Sequence, residues 1–128
     1  MRLKICSLIA LFIFCFDLHA MTTESLVNRC KVTRQKYMSN DEMMSYMYCT
    51  GYISGYTQAV DELENAVDMN LKPIAKHKYL CLPVGAEISA DELVLVFLKY
   101  TDDHPEQLHA DASMVLHNAM VLAYPCNK

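Results

Sequence analysis

An all-α fold follows from three features of the chain: apolar residues at helical spacing, two capping boxes, and four cysteines placed about the turns. Together they predict a small four-helix domain of two antiparallel helical hairpins stapled by two disulfides. Cys30 and Cys49 are equidistant from Ser39-Asn40, and Cys81 and Cys126 from Asp103-His104. Both midpoints are places where a helix should begin. In an antiparallel hairpin, positions equidistant from the turn lie opposite each other.

Residues 1–20 read as a secretory signal and stay outside the fold. Arg2 and Lys4 form a short positive region, Ile5 to Phe16 is a 12-residue apolar run, and Asp17 ends it. Cleavage is expected after Ala20, although Leu18 is bulkier than usual before such a cut. The competing reading is a membrane anchor, but the run is well short of the roughly 20 residues that span a bilayer. Cys15 precedes Phe16-Asp17 rather than small residues, which argues against lipid modification. Residues 21–128 then form one domain, large enough for a single modest core. That part carries 9 basic and 14 acidic residues, a net charge of −5. No strong basic field exists, so no nucleic acid is expected as partner, and no membrane association after signal cleavage.

The first helix is expected from Thr23 to Lys36, capped by Thr22 or Thr23, with Glu24 in its first turn. Arg29, Lys31, Arg34 and Lys36 crowd its C-terminal half, where cations suit the helix dipole better than they argue for a basic patch. The second helix is expected from Asp41 to Asp68, with Ser39 and Glu42 at capping-box spacing. Its core face is assigned to Tyr48, Cys49, Tyr52, Tyr56, Ala59, Val60, Leu63, Ala66 and Val67. The opposite face holds Thr50, Ser54, Thr57, Asp61 and Asp68. Gly51 and Gly55 lie four apart inside it. Each costs about 1 kcal/mol against alanine, and close packing of another helix is the expected compensation, ahead of a ligand against bare backbone.

Asn70 to Tyr79 reads as a basic surface loop around Pro73, and Cys81 to Gly85 as a turn-rich segment. The third helix should follow Ser89, which with Glu92 repeats the capping-box spacing. Leu93, Val96, Phe97 and Tyr100 form its stripe, and Asp102-Asp103-His104 ends it. The fourth helix is expected from Pro105, tolerated in a first turn, with a core face of Leu108, Ala112, Val115, Leu116, Ala119, Leu122 and Ala123. Pro125 stops it.

Four cysteines beyond the signal, in an oxidising compartment, favour two disulfides. Three pairings are open. Cys30–Cys49 and Cys81–Cys126 each close one hairpin and are preferred; both crossed pairings would link separate hairpins. No Cys-x-x-Cys pair occurs, which disfavours thioredoxin-like chemistry and common zinc knuckles.

Candidates for catalysis are weak. A nucleophile needs a base within reach, yet the cysteines are expected to be oxidised, the serines mostly cap helices, and no Gly-x-Ser-x-Gly elbow occurs. His109 and His117, eight apart on one expected helix, point about 80° away from each other. Met38, Met43, Met44 and Met47 lack a Met-x-Met pattern with partner histidines, so they read as packing or interface residues rather than copper ligands. No catalytic residue, metal or cofactor is expected. The residues alone predict a secreted, disulfide-stapled helical module that acts by binding.

Four strings extend that reading: Cys49-x-Gly51-Tyr52-Ile53-x-Gly55; Cys81-x-Pro83-x-Gly85 before a capped helix ending at Tyr100; His104-Pro105-Glu106-x-Leu108-His109-x-x-Ala112; and Ala119-x-x-x-Ala123-Tyr124-Pro125-Cys126. In this order and spacing the chain resembles the Rap/Tai family of type VI secretion immunity proteins over about residues 26 to 126. The resemblance implies an all-helical periplasmic protein, often a homodimer. It also implies binding to a peptidoglycan amidase effector, a papain-like cysteine enzyme that cuts between D-glutamate and diaminopimelate and whose cleft the immunity protein occludes. The matching strings are cysteines, glycines and caps, not contact residues. Partner contact is therefore assigned to polar segments that lie outside them except at His104, where one string begins: Glu64, Asp68, Lys72, Lys76 and His77 in and beside the loop, and Asp102, Asp103 and His104 at the turn. The alternatives are an acid-stress chaperone of the HdeA type, which typically has one disulfide where two are expected here, and, much less favoured, a small hydrolase using His104 or His109.

Overall fold

The computed structural model of the chain describes residues 20–34, 37–66, 72–73, 78–83 and 88–126. Among the described residues four α-helices carry the fold: α1 (Thr23–Cys30), α2 (Asn40–Asn65), α3 (Ala90–Asp103) and α4 (Ala112–Ala123). The expected signal and Asp68, Lys76 and His77 lie outside the described residues.

The N-terminus of α1 is held in two ways. The Thr22 hydroxyl accepts the Ser25 amide at 3.3 Å. The amides of Thr23 and Glu24 donate to the carbonyls of Ala110 and Leu108 at 2.9 and 2.8 Å. The α-helix stops at Cys30 and tightens into a 3-10 turn over Lys31–Arg34, rather than running on to Lys36. A tighter last turn is a common helix ending, and β-branched Val32 is a weak helix former.

Ser39 and Glu42 form the complete capping box of α2: the Ser39 amide donates to Glu42 Oε2 at 2.7 Å, and the Glu42 amide to Ser39 Oγ at 3.3 Å. Helix α2 ends at Asn65, short of Asp68, with Ala66 already extended. There the Asn65 amide group donates to the Asp61 carbonyl at 2.7 Å and to its carboxylate at 3.0 Å, a local side-chain bond of the kind that competes with helix continuation.

Helix α3 starts after Ser89 as expected, with Ser89 Oγ accepting the Glu92 amide at 3.2 Å. The Glu92 carboxylate does not complete the box but accepts the Tyr124 hydroxyl at 3.2 Å, tying the start of α3 to the end of α4. The last helix departs most from expectation. Pro105–Gln107 forms only a 3-10 turn, and α4 begins at Ala112 behind Asp111, whose carboxylate accepts the Ser113 amide at 2.8 Å and hydroxyl at 2.6 Å. The carbonyls of Leu108 and Ala110, which a continuous helix would use internally, instead satisfy the free amides of α1, and Ala112 donates back to Met21 at 2.9 Å.

Both hairpins are closed as expected, Cys30–Cys49 with Cα atoms 5.2 Å apart and Cys81–Cys126 at 4.9 Å. Helices α1 and α2 form one hairpin, α3 and α4 the other; α2 packs on α3 and α1 on α4. Phe97 is fully buried among Leu26, Ile53, Val94, Val115, Leu116 and Met120.

Two expected faces are corrected. On α2 the buried positions are Cys49, Ile53 and Thr57, while Leu63 is 66% exposed and Ala59 is exposed. The Cys30 bridge turns Cys49 inward, and Thr57 can follow because its hydroxyl donates to the Ile53 carbonyl at 2.8 Å. On α4, Met120 is buried while Leu122 is 69% exposed and Ala123 is exposed. Close packing at Gly51 and Gly55 is likewise corrected within the chain. Both are exposed, and among the described residues an added Cβ at either would meet nothing within 4 Å.

Candidate functional site

The far end of the second hairpin carries the most concentrated surface chemistry. Helix α3 ends at Asp103, and His104 caps it with φ −130° and ψ 60°. That backbone folds the imidazole onto the preceding turn. The rings of Tyr100 and His104 stack at 4.2 Å with an interplanar angle of 16°. Nδ1 of His104 lies 2.9 Å from the Tyr100 carbonyl oxygen, which can only accept, so the proton sits on Nδ1. Gln107 donates to the Tyr100 hydroxyl at 3.4 Å, and Lys99 pairs with Asp103 at 2.9 Å.

The stacked pair forms one wall of an open groove between α3 and α4. One part, about 450 Å³, reaches His117, Asn118, Val121 and Pro125; an adjoining part, about 240 Å³, reaches Val96, Ala119 and Ala123. Tyr100, His104 and Leu122 border both. The floor is apolar and the rim polar, the usual anatomy of a recognition surface. Over residues 90–123 a single lysine, Lys99, stands against Asp91, Glu92, Asp102, Asp103, Glu106 and Asp111. No ion pair engages Asp102 or Glu106 among the described residues.

The assigned contact residues divide. Asp102 and Asp103 are exposed, and His104 and Asp103 border the groove. Glu64 faces its own chain: its carboxylate accepts the amides of Tyr79 and Leu80 at 3.2 and 3.1 Å. Beside it, Lys78 bonds Asn65. Glu64 thus latches the segment entering Cys81 onto the end of α2. Lys72 is exposed. His109 is not on α4 but in the preceding turn, with Nδ1 3.8 Å from Glu24.

Tyr100, His117 and Leu122 border the groove, whereas the sequence pattern assigns Tyr100 and Leu122 to core stripes and gives His117 no contact role. One signal was available: Leu122 and Ala123 make the assigned α4 face broader than a helix stripe needs.

A second surface lies on the outer face of α2. Met43, Met44, Met47 and Tyr48 are 45 to 66% exposed. Tyr48 stacks with Tyr52 at 6.5 Å, carries the Arg29 guanidinium 4.5 Å above its ring, and donates to Met21 Sδ at 3.4 Å. Gly51 and Gly55 continue that face.

No cluster of three His, Cys, Asp or Glu able to hold a metal occurs among the described residues, and none of their helices is long and apolar enough to cross a membrane. The fold and surfaces define a small helical domain, bridged twice by disulfides, with an open groove between the two helices of an acidic hairpin. The family model of Rap1a immunity proteins matches residues 22–126, and the chain belongs to that family. No curated protein and no solved structure matches the chain.

Proposed function

We propose that this chain is a periplasmic immunity protein that binds and inhibits a type VI secretion peptidoglycan amidase effector and has no catalytic activity of its own. The observation that carries the reading is the family match across 22–126. Two disulfides fit an oxidising compartment, and the apolar run at Ile5–Phe16 fits export through a cleaved signal over residues 1–20, leaving 21–128 as the immunity domain. Effector contact is assigned to the Asp102–His104 turn and to Lys72, Asp68, Lys76 and His77. Glu64 instead holds its own chain through the amides of Tyr79 and Leu80. The test is co-expression with the periplasm-directed amidase encoded beside this chain. Protection from lysis, with a stable complex on purification, is the expected result; lysis with no complex overturns the reading.

The same reading includes a homodimer through the outer face of α2. Met47, Gly51, Gly55 and Ala59 follow one another at four-residue spacing, and the two glycines lie symmetrically about Ile53. Such a row crosses its own copy with backbones in close approach, which would give the glycines the neighbour they lack within the chain.

A further inference from the structure

We propose that the α3–α4 groove is an anchor site for one aromatic or large aliphatic side chain, presented by a partner segment that carries lysine or arginine on either side of it. The proposal rests on the immunity reading for its partner, the effector, but its chemistry comes from the groove.

Three observations converge. The floor between α3 and α4 is apolar, made by Val96, Ala119, Leu122 and Ala123, and Leu122 stands 69% exposed at its edge. An isolated apolar residue on a surface needs no explanation, but an exposed leucine bordering both parts of a groove does. The volume is sufficient, since an apolar cavity of about 150 Å³ already accepts benzene, and the smaller part alone is about 240 Å³. The wall is preset: His104 is stacked on Tyr100 and bonded to its carbonyl, so neither ring must be ordered on binding. Preorganisation of this kind reduces the entropic cost of association.

Charge selects the neighbours of the anchoring side chain. Asp103 is already neutralised by Lys99. Asp102 and Glu106, two positions before and after His104 in the chain, do not line the groove, but both are exposed and have no ion pair among the described residues. Helix α4 carries no charged side chain from Ala112 to Ala123. With one lysine against six carboxylates over residues 90–123, the hairpin bearing the groove is acidic, which favours cationic flanks over acidic ones. A second copy is a poorer occupant of this site, because the hairpin that bears the groove is itself acidic.

The purified, disulfide-bonded chain, isotopically labelled, is titrated with two peptides and followed by amide chemical shifts. The probes are acetyl-Arg-Phe-Lys-amide and acetyl-Glu-Phe-Glu-amide. Shifts at Val96, Tyr100 and Leu122 with the basic peptide, and a response at least about tenfold weaker with the acidic one, are expected. Leu122→Glu should remove the response, and Asp102→Lys with Glu106→Lys should remove the preference between the peptides. Both variants alter exposed positions, and their circular dichroism should match the parent. Equal response to both peptides, no shifts in the groove at millimolar basic peptide, or shifts centred on Met47 and Gly51 would overturn the proposal. Groove shifts produced by protein concentration alone would also overturn it, in favour of a second copy. The amidase co-expression decides the immunity reading separately. If the parent protects and Leu122→Glu protects equally, the groove proposal fails and the immunity reading stands. If the parent fails to protect, the immunity reading fails while the peptide titration still decides the groove's chemistry.

Discussion

Glu42 accepts the Ser39 amide and hydroxyl, in that order of effect, and these bonds hold its carboxyl below the ordinary value of 4.5. Asp111 is held below 3.8 chiefly by the Ser113 hydroxyl and then by the Ser113 amide. A carboxyl whose folded value is depressed contributes fully above its unfolded value, and the contribution is lost as pH falls through the lowered folded one. Acid should therefore loosen the starts of α2 and α4 below the ordinary carboxylate range. Amide exchange at Asn40–Met43, followed through an acid titration, should show this loss, and Glu42→Gln should flatten it. At the centre, Phe97→Ala should cost about 3–5 kcal/mol, because the ring is fully buried and leaves a cavity; chemical denaturation measures it. Thr57 and Thr101 are buried yet satisfied, each hydroxyl donating to a carbonyl of its own helix, Ile53 and Leu98. Threonine at such a site reads as polar in a sequence, and only the local bond makes it a core residue.

Helix α2 is where pattern and packing diverge. Its tyrosines, at helical spacing with Cys49, suggest a core face, but the buried line is Cys49, Ile53 and Thr57, with Tyr52, Tyr56 and Val60 at its edges. A long helix in a small domain has more apolar residues than one neighbour can cover, so periodicity leaves the rotation of the face undecided. The disulfide to Cys30 decides it. Gly51→Ala and Gly55→Ala test the consequence. With open space at both, each should raise the stability of the monomer by up to about 1 kcal/mol through helix propensity alone. Light scattering on the same variants should show weaker self-association if the homodimer forms there. Helix α4 teaches the converse. Pro105 signals a helix start correctly for a single turn, but the carbonyls that would extend it are taken by the amides of Thr23 and Glu24, 87 and 84 residues away in sequence. No local propensity registers such a competitor.

Across the whole molecule, two bridges divide the task. Cys30–Cys49 is buried and joins α1 to α2, while Cys81–Cys126 joins the entry of α3 to the exit of α4, beside the Leu80–Pro125 bridge and the Cys81 amide bonded to Tyr124. By loop closure they contribute roughly 3 and 4 kcal/mol. Replacing Cys81 and Cys126 by serine should lower the thermal midpoint and free the C-terminal segment to exchange, while α1 and α2 retain protection as long as the fold persists. The all-α class, the starts of α2 and α3, the preference for the hairpin-local cysteine pairs and the family resemblance are all legible in the chain alone. These rest on local chemistry, caps and turn positions that operate within a few residues, together with spacing that survives any small error in packing. Which side of each helix faces the core, where α4 begins, that Glu64 latches its own chain, and that Tyr100, His104 and Leu122 border one groove emerge from packing. Each of those depends on groups distant in the chain competing for the same carbonyl, carboxylate or apolar surface, and that competition exists only once the helices have met.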